Sequence, residues 1–184
     1  MERSTHTLAV KSQNWFVEAL FQLIQQKTFE EITISELCKK ANLDRRTFYR
    51  NFKDKNDVLL FYFSTLEAEY LAVLKRIQER TFYTLAKVYF EFWTCHLEFL
   101  KTAQRDQSLF AMLIQMLNSF MPSVYAKASG SISKELQYNI SFVTGGFHNV
   151  LIHWISSGFQ EAPEEMAAII SKMFDNTISY WPDI

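Results

Sequence analysis

Apolar residues with the spacing of an α-helix are the feature that most constrains the fold of this chain. Five of them follow the spacing i, i+3, i+4, i+7 and i+8 and define one face of a first helix: Phe16, Ala19, Leu20, Leu23 and Ile24. The same spacing returns in a shorter second helix: Ile34, Leu37, Cys38 and Ala41. The 184 residues include only 4 Gly and 3 Pro, too few for the frequent turns of an all-β domain. The sequence therefore predicts an all-α protein.

Further helices are predicted along the rest of the chain. A fourth helix begins at Asp54 or Asn56 and runs to about residue 80. The segments predicted helical after it are 82–103, 106–119, a shorter one after 121–122, 134–157 and 164–180. No linker rich in Pro or Gly interrupts the fourth helix, so we expect it to join two domains. These are an N-terminal three-helix domain, residues 1–55, and a C-terminal helical domain, residues 56–184.

Several classes of protein find no support in the sequence. Cys38 and Cys95 lie far apart in apolar segments, which favours two reduced, buried thiols over a disulfide or a metal site. No signal peptide and no apolar run of about 18 residues is present, so we expect a cytoplasmic protein that does not cross a membrane. His148 and His153 are five apart, a poor spacing for shared metal ligation on a helix. No phosphate-binding loop or nucleophile elbow occurs, so we predict neither an enzyme nor a cofactor.

The segment TISELCKKANLDRRTFYRNFKDKNDVL, residues 33–59, has the signals of two helices joined by a tight turn. Thr33 followed by Glu36 three residues later forms a capping box at the start of the second helix. Asn42 tolerates the left-handed conformation that a tight turn needs. Asp44 then caps a third helix that begins near Arg45. This order predicts a helix-turn-helix.

The third helix has a basic face beside an aromatic one. At 100° per residue, Arg45, Arg46, Tyr49 and Arg50 fall on one side, and Phe48 and Phe52 fall on the adjoining side. Residues 39–55 contain seven Lys and Arg against two Asp, so a focused anionic partner is expected. Such a face fits the major groove of DNA, where Arg reads guanine and other groups hold phosphates. The alternative is an amphipathic hairpin whose charged side is merely solvated.

This segment resembles the DNA-binding motif of the tetracycline-repressor (TetR) family of bacterial transcription regulators. The matching positions are Thr33, Leu37-Cys38, Ala41-Asn42, Thr47, Tyr49, Phe52 and Lys55. Thr28 and Asn42 stand where the family often has Gly. The later stretch YNISFVTGGFHNVLIHWISSGFQEAPEEMAAII is similar to the last two helices of one branch, which form a four-helix dimer interface in that family.

The resemblance implies roles for individual residues. It assigns phosphate contacts to Thr33, Tyr49, Asn51 and Lys55. It makes four further residues candidates for base edges or phosphates: Arg45, Arg46, Thr47 and Arg50. It implies a homodimer on a roughly palindromic operator in double-stranded DNA, and the apolar character of the last two helices agrees with this. The candidate dimer residues are Gly146, Trp154, Met166, Ile170, Met173 and Phe174.

A set of bulky residues in the predicted helices 82–103 and 106–119 and just beyond them is a candidate effector site. These are Phe90, Trp93, His96, Phe99, Met116 and Phe120. Helical spacing alone favours core for such residues, and the resemblance places an effector cavity among the same helices. Their apolar lining would suit a small apolar or aromatic ligand. The function we predict is a repressor released by such a ligand; the alternative is a DNA-bound adaptor regulated by a protein partner.

Overall fold

The computed structural model describes residues 2–79, 81–129 and 133–172. Every regular element within these ranges is a helix, which confirms the predicted all-α class. The chain divides into two compact units, residues 1–68 and 69–184. The boundary predicted from the sequence lies between residues 55 and 56, and the two units meet between residues 68 and 69. Both boundaries fall on one long helix, Lys55–Leu74.

The first unit contains three helices and the beginning of a fourth. They are α1 (Glu2–Ile24), α2 (Ile34–Ala41), α3 (Arg45–Asn51) and α4 (Lys55–Leu74), and α4 ends in the second unit. Phe16 of α1 packs edge to face against Phe48, with ring centroids 5.2 Å apart. The ring centroid of Phe52 lies 6.0 Å from that of Phe16. All three rings are buried, so a small aromatic core fixes α3 on α1.

The second unit contains the end of α4 and five further helices. These are α5 (Phe82–Cys95), α6 (Leu97–Arg105), α7 (Gln107–Ser129), α8 (Lys134–Ser156) and α9 (Pro163–Ser171). Phe90 of α5 packs against Trp154 of α8 with centroids 5.4 Å apart. Trp154 also donates its indole N–H to the carbonyl of Glu161, at 3.0 Å, which holds the loop before α9. No helix in the described ranges is long and apolar enough to cross a bilayer.

Three predicted helix boundaries were wrong. α4 ends at Leu74, and Thr81 then caps α5 by accepting a hydrogen bond from the amide of Thr84 at 3.1 Å. The predicted 82–103 helix is two helices, because His96 leaves the helical conformation (φ −115°, ψ 23°) and its amide bonds back to Trp93. Conversely, α7 continues through Pro122, at the cost of the hydrogen bond that the proline nitrogen cannot donate. The predicted end of the last helix lies outside the described residues.

Candidate functional site

The predicted helix-turn-helix is present, with the expected residues at its ends. The hydroxyl of Thr33 accepts from the amide of Glu36 at 3.3 Å, and the Glu36 carboxylate accepts from the amide of Thr33 at 3.0 Å. Asn42 ends α2 in the left-handed conformation, with φ 54°. Asp44 then accepts the amide of Thr47 at 2.6 Å and opens α3. Two side-chain caps and one left-handed residue therefore set the angle between α2 and α3.

Glu36 is also tied to the preceding segment. Its Oε1 lies 2.5 Å from the ammonium of Lys27. Hydrogen bonds from Lys27 and then from Thr33 hold the pKa of Glu36 at about 2, well below its usual value. The carboxylate is therefore ionised at neutral pH.

The outward side of α3 is basic, as its spacing predicted. Arg45, Arg46 and Arg50 are exposed, and the ring of Tyr49 is 58% exposed beside the buried Phe48. The guanidinium of Arg45 donates to the hydroxyl of Ser35 on α2. Three guanidinium groups and a phenol thus share one accessible surface, which can donate to base edges and phosphates.

Three other candidate residues are less free to contact a partner molecule than the arginines and the tyrosine of α3. These are Thr33, Thr47 and Asn51. The Thr33 hydroxyl is exposed but engaged in the capping box with Glu36. Thr47 is half-buried, and the half-buried Asn51 donates its amide to the Thr47 carbonyl at 2.8 Å. The side-chain amide of Asn51 has a second N–H that this bond does not use.

Lys55 is bonded inside the protein in the absence of DNA, and its expected phosphate contact stays a prediction. Its ammonium lies 2.8, 2.6 and 3.2 Å from the carbonyl oxygens of Phe29, Glu30 and Ile32. It also lies over the ring of Phe29, 5.0 Å from the centroid. Since an ammonium has three N–H donors, these carbonyls occupy all of them. Sequence spacing gave no sign of these bonds, because the partners lie more than twenty residues earlier.

Most of the candidate effector residues are buried in the second unit. Phe90, Trp93, Phe99, Met116 and Phe120 are all nearly inaccessible. His96 is half-buried between α5 and α6, and its Nε2 lies 3.6 Å from a carboxylate oxygen of Glu69. The structure thus gathers these residues in the interior of one unit.

Four residues that the sequence analysis did not assign to an effector site add polar groups to this interior. Tyr70, Tyr89 and Phe120 lie in ring contact, with centroids 6.1 Å apart for Tyr70–Tyr89 and for Tyr70–Phe120. His148 Nδ1 lies 3.2 Å from Oδ1 of Asn118. We call Tyr70, Tyr89, Asn118 and His148 the polar cluster. In the sequence, these four residues are distinguished only as polar side chains within largely apolar helices.

The polar cluster is electrically neutral at ordinary pH. Burial lowers the pKa of His148 to about 4, so its ring is uncharged. Burial raises the pKa of Tyr70 and of Tyr89, so both phenols keep their protons. The buried hydroxyl of Tyr89 has no hydrogen-bond partner of good geometry, although the side chain of Trp93 is near enough to offset part of its pKa rise. An unpaired buried hydroxyl is uncommon and calls for an explanation.

The candidate dimer residues divide between core and surface. Trp154, Met166 and Ile170 are buried within one protomer, so their side chains do not form an outer surface. Gly146 is exposed, and Met173 and Phe174 lie outside the described residues. The outer face of α8 instead presents Tyr138 and Phe142, which are 67% and 71% exposed. A Cβ atom at Gly145 or Gly146 would meet nothing within 4 Å, so packing inside the protomer does not require glycine there.

Three solved structures with a similar fold are of proteins described as regulators or an activator, at identities too low to show more than the fold. The dihydroxyacetone kinase operon activator DhaS is 18% identical, with a TM-score of 0.54 over 89% of this chain and 94% of its own. The fatty acid degradation regulator FadR from Bacillus halodurans is 14% identical, with a TM-score of 0.59 over 92% and 97%. A Clostridium perfringens protein described as a fatty acid metabolism regulator is 18% identical, with a TM-score of 0.57 over 90% and 100%.

Comparison with family models identifies both parts of the chain. Residues 16–60 match the model of bacterial regulatory proteins of the tetR family, and residues 81–176 match a model of the transcriptional regulator C-terminal region, TetR_C_8. A search of curated protein sequences gave no significant match. The two models cover the helix-turn-helix and most of the second unit, and the chain therefore belongs to the TetR family of DNA-binding transcription regulators.

Proposed function

We propose that this regulator is a repressor that binds its operator as a homodimer and is released by a small, uncharged, largely apolar effector. The observation that carries the DNA-binding part is the exposed basic face of α3 above a buried aromatic anchor. An effector lowers operator affinity if it binds better to a conformation in which the two reading helices no longer fit successive major grooves.

In this proposal the arginines and the tyrosine of α3 make different contacts with DNA. Arg45, Arg46 and Arg50 supply planar, bidentate donors for guanine edges or phosphates. Ser35 holds the Arg45 guanidinium, so Arg45 loses less side-chain freedom on binding. The exposed phenol of Tyr49 donates to a phosphate, which orients the helix without reading sequence.

The proposed dimer forms through the outer face of α8. Tyr138, Phe142, Gly145 and Asn149 follow each other at intervals of four, three and four residues, which aligns them along one side of the helix. Two large exposed rings lie at one end of this stripe, and glycine in its middle would let a second backbone approach closely. A two-fold dimer built this way requires a roughly palindromic operator.

The proposed effector site is the interior of the second unit around the polar cluster. The unpaired Tyr89 hydroxyl supplies a hydrogen bond for a polar atom of the effector, and aromatic rings enclose the rest. Among the described residues of this unit no Lys or Arg is buried, and His148 is neutral. A carboxylate buried here would lack a compensating cation, which favours an alcohol, phenol or ketone over an acid.

The proposal is tested by selecting bound sequences from random duplex DNA and then measuring release of the selected duplex. Decanol and decanoate make a suitable probe pair, since they share an apolar chain and differ in charge at neutral pH. We expect enrichment of a two-fold symmetric sequence and its release by decanol at concentrations where decanoate has no effect. A selected duplex that no uncharged apolar compound releases would support regulation by a protein partner instead. Absence of any enriched sequence would contradict operator reading itself.

A further inference from the structure

Tyr89 of α5 and His148 of α8 lie next to each other in the interior of the second unit. Their ring centroids are 6.4 Å apart and their ring planes are tilted by 35°. Both side chains are buried, and the ring of Phe147 lies 5.2 Å from that of Tyr89. Two polar rings thus share an environment that is otherwise aromatic.

Tyr89 offers a hydrogen-bond donor to this interior. Its buried hydroxyl has no hydrogen-bond partner of good geometry, and the polar group near it is the indole of Trp93. An indole N–H can donate a hydrogen bond but cannot accept one, so Trp93 does not take the phenol proton. The O–H of Tyr89 therefore remains available to an acceptor.

His148 offers the complementary acceptor. Its Nδ1 lies 3.2 Å from Oδ1 of Asn118, which is the one hydrogen bond of this ring among the described residues. An amide oxygen can only accept, so the ring proton is on Nδ1. Burial keeps the ring neutral, with a pKa of about 4, and the Nε2 of a neutral ring protonated at Nδ1 is an acceptor.

We propose that Tyr89 and His148 together recognise one hydroxyl group of the effector: Tyr89 donates to its oxygen, and Nε2 of His148 accepts its proton. The inference rests on the proposed effector site and narrows its ligand to a neutral alcohol or phenol. A separation of 6.4 Å between the rings matches one oxygen atom with hydrogen bonds of about 2.8 Å to both groups. A ketone can accept from Tyr89 but leaves Nε2 of His148 unbonded.

The compounds 1-decanol and 2-decanone separate the two hydrogen bonds, because they have chains of equal length and only the alcohol has a proton to donate. We expect titration calorimetry to show that the unchanged protein binds 1-decanol about tenfold more tightly, the effect of one hydrogen bond. Tyr89→Phe should weaken the binding of both compounds. His148→Leu should weaken the binding of 1-decanol about tenfold and leave that of 2-decanone unchanged or tighter.

His153 provides the matched control, since it is an exposed histidine of the same helix. His153→Leu should leave both affinities unchanged. If His148 served packing alone, His148→Leu would change the two affinities alike, and that result would overturn the inference. Equal affinity of the unchanged protein for both compounds would also overturn it, while release of the selected duplex by both would leave the proposed function standing. If neither compound bound, the proposed effector site would fail together with the inference.

A measurement on the unchanged protein tests the inference even if the variants fail to fold. Nitrogen-15 spectra of histidine-labelled protein show which ring nitrogen carries the proton. We expect the proton of His148 on Nδ1 in the free protein, and a shift of its Nε2 resonance on addition of 1-decanol but not of 2-decanone. A His148 ring protonated at Nε2, or an Nε2 resonance that responds equally to both compounds, would contradict the assigned role.

Discussion

The ammonium of Lys27 lies 2.5 Å from Oε1 of Glu36, which joins the segment after α1 to the first turn of α2. The other carboxylate oxygen of Glu36 accepts the amide of Thr33 at 3.0 Å and completes the capping box. One carboxylate therefore holds both the helix end and the chain leading to it. Its ionisation links the stability of the helix-turn-helix to pH.

Acid should destabilise the first unit through Glu36. Its pKa is lowered in the folded protein to about 2, so it contributes stability that is present above its usual pKa and is lost as pH falls toward 2. Glu36→Gln can keep the hydrogen bond to Thr33 but loses the charge that Lys27 pairs with. We expect it to melt lower at pH 7 and to show a weaker dependence of melting temperature on pH between about 5 and 2. Equal pH dependence in both proteins would contradict the assignment.

Asn42 should respond to substitution according to its backbone conformation. With φ 54° it occupies the left-handed region, which a residue with a Cβ atom adopts at a cost of about 1–2 kcal/mol. Asn42→Ala should therefore lower the free energy of unfolding by about 1 kcal/mol, and Asn42→Gly should be neutral or stabilising. Chemical denaturation of the three proteins measures this. Equal stability of the Ala and Gly variants would show that the turn has another conformation.

Charge on the outer face of α8 should dissociate the dimer without unfolding the protomer. Phe142→Glu places a carboxylate in the proposed interface and should weaken association by about 2 kcal/mol or more, the effect of a central interface residue. Leu60→Glu, at a similarly exposed apolar residue in the first unit, is the control and should leave the dimer intact. Sedimentation equilibrium distinguishes the two. A dimer unaffected by Phe142→Glu, or a wild-type monomer at micromolar concentration, would rule out this interface.

Removing the Tyr89 hydroxyl should stabilise the protein and weaken effector binding. The hydroxyl is buried without a partner, and such a group costs about 1–3 kcal/mol of stability. Tyr89→Phe should therefore raise the melting temperature, leave operator affinity unchanged and reduce the affinity for decanol, as followed by titration calorimetry. If decanol bound equally well to both proteins, the hydroxyl would not be its anchor.

The helix-turn-helix could be predicted because its boundaries depend on local interactions. Thr33, Glu36, Asn42 and Asp44 each satisfy backbone groups within three residues or adopt a conformation typical of their type. The exposed face of α3 could be predicted from Phe48 and Phe52, since buried rings fix which side of the helix faces outward.

Features set by distant contacts could not be predicted in the same way. The carbonyl partners of Lys55 lie 23 to 26 residues earlier, and only the folded chain brings them together. The break at His96 has no Gly or Pro to mark it. On α9 the neighbouring Ile169 and Ile170 are the same residue type, but the first is exposed and the second is buried. Hydrophobic periodicity shows where apolar residues recur, but it does not show whether such a residue is buried in the core or covered by a partner molecule.

The central claim is that the basic face of α3 reads DNA sequence, and one binding ratio tests it most directly. The ratio compares affinity for the selected duplex with affinity for a random duplex of equal length, measured by fluorescence anisotropy at one salt concentration. For the unchanged protein it should reach about a thousandfold or more. Arg45→Ala combined with Arg46→Ala should reduce it by roughly a hundredfold, since each bidentate contact discriminates by about 1–3 kcal/mol. A double variant that kept the full ratio would contradict the account.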